Sequence, residues 1–248
     1  MKHFYKTLLT FTLCLAGSSF VSAQDPSKPI ALSGPDYAVK AFEKYVTGPA
    51  GYIIEAFEDN APAVQDYKNY QAIIFLEHFR KENIREDAIW NVGDNLDVVR
   101  EYVREGGNIW IIGAAFPRNS EGARDFRNLQ FCDDLLGFSS HPNIDLYNPV
   151  SAQSAGETFF VMEGDMNFVA PYTGTIGKIT SADLLASAPD SSGTEQPFAT
   201  RNAFGEGYVF YFGTSPFRLA RAEREKGNPP EEYVIPYGTI LQNILKEH

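Results

Sequence analysis

Few segments of this chain carry groups able to move a proton or bind a polar ligand. Glu77 and His78 stand side by side after an apolar run, with Arg80 two residues on. A carboxylate and an imidazole together can give a proton to a substrate and take one back. A second candidate is the turn Gly113-Ala114-Ala115-Phe116-Pro117, which follows the apolar segment 108–112 and leads to Arg118 and Asn119. At a corner of this kind, acyl-transfer enzymes hold a Ser or Cys whose oxygen or sulfur attacks a carbonyl carbon. Here the apex is Ala114 or Ala115, and neither side chain can attack. No Gly-x-Ser-x-Gly occurs elsewhere, so a Ser-based hydrolase elbow is absent as well. Ser33 and Gly34 after the segment 30–32, Thr214, Ser215 and Arg218 after the segment 208–212, and His141 after 138–140 complete the set. These groups can bind sugar hydroxyls or a carboxylate without a bond-making step.

Each candidate also has a plainer reading. Glu77 and His78 can be the solvated lip of a strand, and as neighbours in a regular strand they would point to opposite faces. Arg118 and Asn119 can be surface loop, and His141-Pro142 a turn. Arg218, Arg221 and Arg224 with Glu223 and Glu225 read as a solvated, salt-bridged helix face. No metal is implied, because Glu77, His78 and His141 lack ligand spacing. No cofactor is implied either. The pair Gly205 and Gly207 has neither the third glycine nor the following helix of a dinucleotide fingerprint. Trp90, Tyr147, Tyr172 and Phe217 lie in loop-like contexts, where flat rings can stack on a pyranose.

The elements that must position these residues alternate. Ile30-Ala31-Leu32 reads as a first strand. A helix follows, with Ser33 or Gly34 as N-cap, Pro35 in its first turn and Asp36 complementing the dipole. Its apolar side is Tyr37, Val39, Ala41, Phe42, Tyr45 and Val46, and Gly48-Pro49 should end it. Strands are expected at 52–57 and 72–76, with a short helix at 62–67 between them. A helix over 95–105 should close on Gly106-Gly107 before the strand 108–112. A helix from 123 to about 136 and a fifth strand at 138–140 come next. Strands alternating with helices in this way predict an α/β fold, with a three-layer, flavodoxin-like, mostly parallel sheet and helices on both faces. The rhythm changes after residue 140, where strands at 158–162, 184–188, 198–203 and 208–212 predict β-rich additions in the C-terminal half. The last two should join through a hairpin at Gly205-Glu206-Gly207, and a helix over 235–246 closes the chain.

Composition sets the compartment and the partners. Residues 1–23 have the form of a signal peptide: Lys2 and Lys6, an apolar core from Leu8 to Ala16, and the small-residue site Val21-Ser22-Ala23. A lipoprotein anchor at Cys14 is disfavoured by Leu13 before it. The expectation is an exported protein, periplasmic or secreted, with one domain over 24–248 and no membrane span. Cleavage removes Lys2 and Lys6 from 21 basic residues and none of the 32 acidic ones. Such an acidic surface repels phosphate backbones and argues against nucleic acid as partner. Only Cys132 then remains, which excludes an internal disulfide and a Cys-based zinc site; its setting reads as a packed helix face.

Three segments resemble the class I glutamine amidotransferase-like superfamily, in particular its exported, trehalose-utilisation-like and related branches. Tyr70-Gln71-Ala72-Ile73-Ile74-Phe75 is similar to that group's YDAIIL strand. The run 96–109, ending Tyr102-Val103-Arg104-Glu105-Gly106-Gly107-Asn108-Ile109, is similar to its helix and strand around YVEAGGGL. Gly205-Glu206-Gly207-Tyr208-Val209-Phe210-Tyr211-Phe212-Gly213 is similar to its late GKGRVVYFG strand. The resemblance implies the fold across most of the mature chain. It also implies a Gly-x-Cys-x-Gly elbow and a later His-x-Glu, and this sequence has neither, so glutaminase activity is not expected. Three readings stay open. One is an exported, non-catalytic domain binding a small polar or carbohydrate ligand, or a protein partner, at the carboxyl ends of the strands. The second is a carbohydrate-processing hydrolase or isomerase using Glu77 and His78. The third is a structural assembly module whose β-rich half docks on another chain. Expressed with its leader, the exported chain should begin at Gln24, as intact-mass measurement will show.

Overall fold

The computed structural model describes residues 27–58, 61–76, 95–112, 133–140, 149–154, 166–169, 176–189, 194–212, 238 and 241–245. In chain order the strands are β1 (Ile30–Gly34), β2 (Ile54–Glu58), β3 (Ala72–Leu76), β4 (Asn108–Ile112), β5 (Phe138–Ser140), β6 (Pro149–Ser154), β7 (Met166–Val169), β8 (Ile176–Ile179), β9 (Asp183–Pro189), β10 (Glu195–Phe204) and β11 (Gly207–Phe212). Nine of them form one sheet in the order β2-β1-β3-β4-β11-β10-β9-β6-β7. The first five in that order are parallel neighbours, and the rest of the sheet is antiparallel. The flavodoxin-like order and the β-rich additions are therefore both present.

The pleat decides what each strand buries. Ile30, Leu32, Ile74, Trp110, Phe210 and Phe212 share one buried cluster with Val39 and Phe42 of α1 (Asp36–Phe42) and with Leu241, Ile244 and Leu245 of the last helical segment. Their neighbours Ala31, Ile73, Phe75, Ile109, Ile111 and Tyr211 form a second cluster. It also holds Tyr67 of the 3-10 segment Val64–Asn69, Val99 and Val103 of the helix Leu96–Arg104, and Leu135 and Leu136. Alternate side chains of a strand face opposite ways, so apolar runs without a polar alternate demand cover on both sides. The connection from β1 out to β2 covers the first face. The connection back across β1 to β3 covers the second, as a constant crossover hand requires.

Three local expectations need correction. Ser33 and Gly34 lie inside β1, and the N-cap position of α1 is Pro35, with no side-chain cap bond. The helix also runs through Gly48-Pro49. Residues Glu43–Thr47 form a wider π-turn, Gly48–Ala50 a final α-turn, and the left-handed residue is Gly51 at φ 77°. The carbonyl of Tyr45, inside the π-turn, accepts a hydrogen bond from Gln242 Nε2 at 2.7 Å. Tyr52 donates in turn to the Leu245 carbonyl at 2.8 Å. The irregular turn thus receives the closing helix. Finally, β5 is not a fifth strand of the parallel sheet. It pairs antiparallel with β8 in a separate two-stranded ribbon, and β11 takes the fifth place beside β4.

That ribbon is tied to the main sheet by polar contacts. Buried Asn202 on β10 donates from Nδ2 to the carbonyls of Asp134 and Leu135, at 2.9 and 2.8 Å, where the helical segment Asp133–Leu136 ends. Its Oδ1 accepts from Ser181 Oγ at 3.0 Å. The hairpin between β10 and β11 packs against the end of the Leu96–Arg104 helix, with Glu206 N–H donating to the Arg104 carbonyl at 3.0 Å. A Cβ at Gly207 would run into the Gly107 and Val103 carbonyl oxygens. Glycine is required there by close backbone approach.

Asn202→Ala strips donors from two helix-end carbonyls and should cost about 1–3 kcal/mol in urea unfolding. Arg100 clamps Asp134 through two bonds, Nε at 2.9 Å and Nη2 at 3.1 Å. Burial works to raise the Asp134 carboxyl, but Arg100 and the backbone hold it below its ordinary 3.8. A carboxylate depressed in the fold stabilises above its unfolded value and stops doing so as pH falls through the folded one. Asp134→Asn should therefore be less stable than the parent at pH 7, by about 0.2–1 kcal/mol for so exposed a pair. Denaturation at stepped pH should show the gap closing below pH 4.

Candidate functional site

The sheet itself offers no chemistry. Trp110 stacks between Phe210, at 4.7 Å between ring centroids, and Phe212, at 6.0 Å, so this central patch is core. Burial pushes the hydroxyls of Tyr67, Tyr102 and Tyr211 well above the usual tyrosine range, and Tyr67 and Tyr102 meet edge to face at 5.6 Å. Tyr70 is pushed up to about 12, by burial first and then by Glu55. All four stay protonated at neutral pH, which removes them as bases.

What remains is the carboxyl edge of the parallel strands. Leu76, the last residue of β3, is in register with Ile112, the last of β4, and Ile112 with Phe212, the last of β11. Three adjacent strands therefore end level, about 4.8 Å apart. Glu77, Gly113 and Gly213 follow them by one peptide bond each. The order reverses between β1 and β3, since the chain goes outward to β2 before returning past β1. Open α/β sheets bind ligands in the crevice above such a reversal.

The β1 side of that reversal is fully visible. Ser33 is buried and pairs in register with Phe57 and Phe75. Gly34 lies opposite Glu58, and a Cβ on it would stand 2.5 Å from the Leu76 carbonyl oxygen. The bare glycine lets the ends of β1 and β3 close on each other. Beyond it, Asp36 is ion-paired with Lys40, while Glu58 approaches the same carboxyl. The hydrogen bond from Lys40 is the main reason this carboxyl lies below its ordinary value, and burial opposes it.

Of the residues singled out in the sequence, the structure thus places Ser33 and Gly34, inside the strand end and not beyond it. Glu77, His78, Arg80, Gly113, Ala114, Ala115, Arg118, Asn119, Thr214, Ser215 and Arg218 lie outside the described residues. So do Cys132, His141, Trp90, Tyr147, Tyr172 and Phe217. With β5 in the separate ribbon, the reason for placing His141 above the parallel sheet falls away. Sequence reasoning passed over Lys40 and Glu58. Glu58 was discoverable as the acidic residue that closes the second strand, and Lys40 as the i+4 partner of Asp36.

No family model matches this chain, and no curated protein does. Solved structures do. A β-galactosidase from Rahnella sp. R3 matches with a TM-score of 0.54 and 15% identity, over 88% of this chain and 31% of that one. A cytoplasmic protein from Salmonella typhimurium matches with a TM-score of 0.56 and 12% identity, over 86% and 97%. A glutamine amidotransferase from Thermotoga maritima matches with a TM-score of 0.55 and 8% identity, over 89% and 96%. The chain thus spans about a third of the β-galactosidase and nearly the full length of the other two. At these identities the likeness fixes the fold alone, an amidotransferase-like α/β sheet.

If the ends of β1 and β3 touch as described, Gly34→Ala has no soft neighbour to displace and should cost about 1–3 kcal/mol. Thermal unfolding of this variant at the parental temperature would overturn that packing.

Proposed function

We propose that this chain is an exported, non-catalytic amidotransferase-like domain that binds a small polar or carbohydrate ligand at the carboxyl ends of its parallel strands. The observation that carries this reading is the end of β4. Ile112 closes a central strand flanked by β3 and β11, and the residues that follow are Gly113-Ala114-Ala115. Acyl transfer needs a nucleophile at such a corner, and alanine supplies none. A rim without a nucleophile still binds. Glu77, His78 and Arg80 follow β3, Arg118 and Asn119 follow β4, and Thr214, Ser215 and Arg218 follow β11. Their donors and acceptors suit sugar hydroxyls and carboxylates.

The carbohydrate preference draws support from the company the fold keeps. The matches include the Rahnella β-galactosidase and an exo-β-1,4-mannosidase from an Opitutaceae bacterium, the latter with a TM-score of 0.50 at 12% identity over 86% of this chain and 36% of that one. Export rests on residues 1–23, and the proposed domain runs over 24–248.

The test is a thermal-shift screen of the leader-free protein against neutral sugars, sugar acids and small carboxylates. A ligand present at about a hundred times its Kd stabilises by about 2.7 kcal/mol, which raises the Tm by several degrees. At least one class should do so. No shift with any of them overturns the proposal.

A further inference from the structure

We draw no further inference here: the strongest candidate, the outer edge of β2 with the exposed Ile53 just before it, is a strand edge unpaired among the described residues, and nothing in the structure shows what covers it.

Discussion

The constraint on which this molecule depends is the two-sided burial of its parallel strands. β3 reads Ala-Ile-Ile-Phe-Leu and β4 reads Asn-Ile-Trp-Ile-Ile, and every one of these residues is buried. A strand of that kind cannot face water on either side, so helices must cover both faces. The same constraint locates function. With both faces closed by packing, a polar ligand can reach the sheet only at its edges or its strand ends. At the carboxyl end the ladder stops level across three strands, and there the chain turns to charged and hydroxyl-bearing residues.

The opposite, amino edge is settled by backbone contact. The turn between β10 and β11 sits on the end of the Leu96–Arg104 helix, with Gly207 against the carbonyls of Val103 and Gly107. Buried Asn108 holds the Tyr208 N–H at 3.0 Å through its side-chain oxygen, fixing the first rung between β4 and β11. Two glycine-rich stretches that invite a nucleotide-binding reading are thereby committed to packing. Their position, at the end of the sheet away from the candidate rim, makes the same point.

How far the sequence foretold this follows from the physics of each segment. Strands β3 and β4 were legible to the residue, because an unbroken apolar run bounded by polar residues has few other solutions. The helix over Leu96–Arg104 was legible from Val99, Tyr102 and Val103 recurring on one side. The π-turn was not. Nothing in Glu43-Lys44-Tyr45-Val46-Thr47 departs from helical spacing, and the distortion answers to Gln242, nearly two hundred residues away. β6, β7 and β8 were missed for another reason: Ser-Ala-Gln-Ser and Ile-Gly-Lys-Ile carry little strand preference, so pairing partners decide their conformation. Phe138–Ser140 was recognised as a strand and assigned to the wrong sheet, since sequence reveals conformation sooner than partner. Of the candidate site, the ladder ends and the Gly34 contact with Leu76 emerge from the structure, while the lack of a nucleophile was readable from Ala114 and Ala115 alone.

β1 is an interior strand whose direction runs from the amino edge to the rim. Its start is fastened by Gln71 Nε2, which donates to the Lys28 carbonyl at 2.6 Å, and by Lys28 Nζ, which donates to the Lys68 carbonyl at 3.1 Å. Anything joined ahead of these residues, whether an uncut leader or an affinity handle, leaves the sheet on the side away from Gly34 and Leu76. Immobilising the protein through that end would present the opposite side to solution, the orientation that a surface-based search for ligands requires.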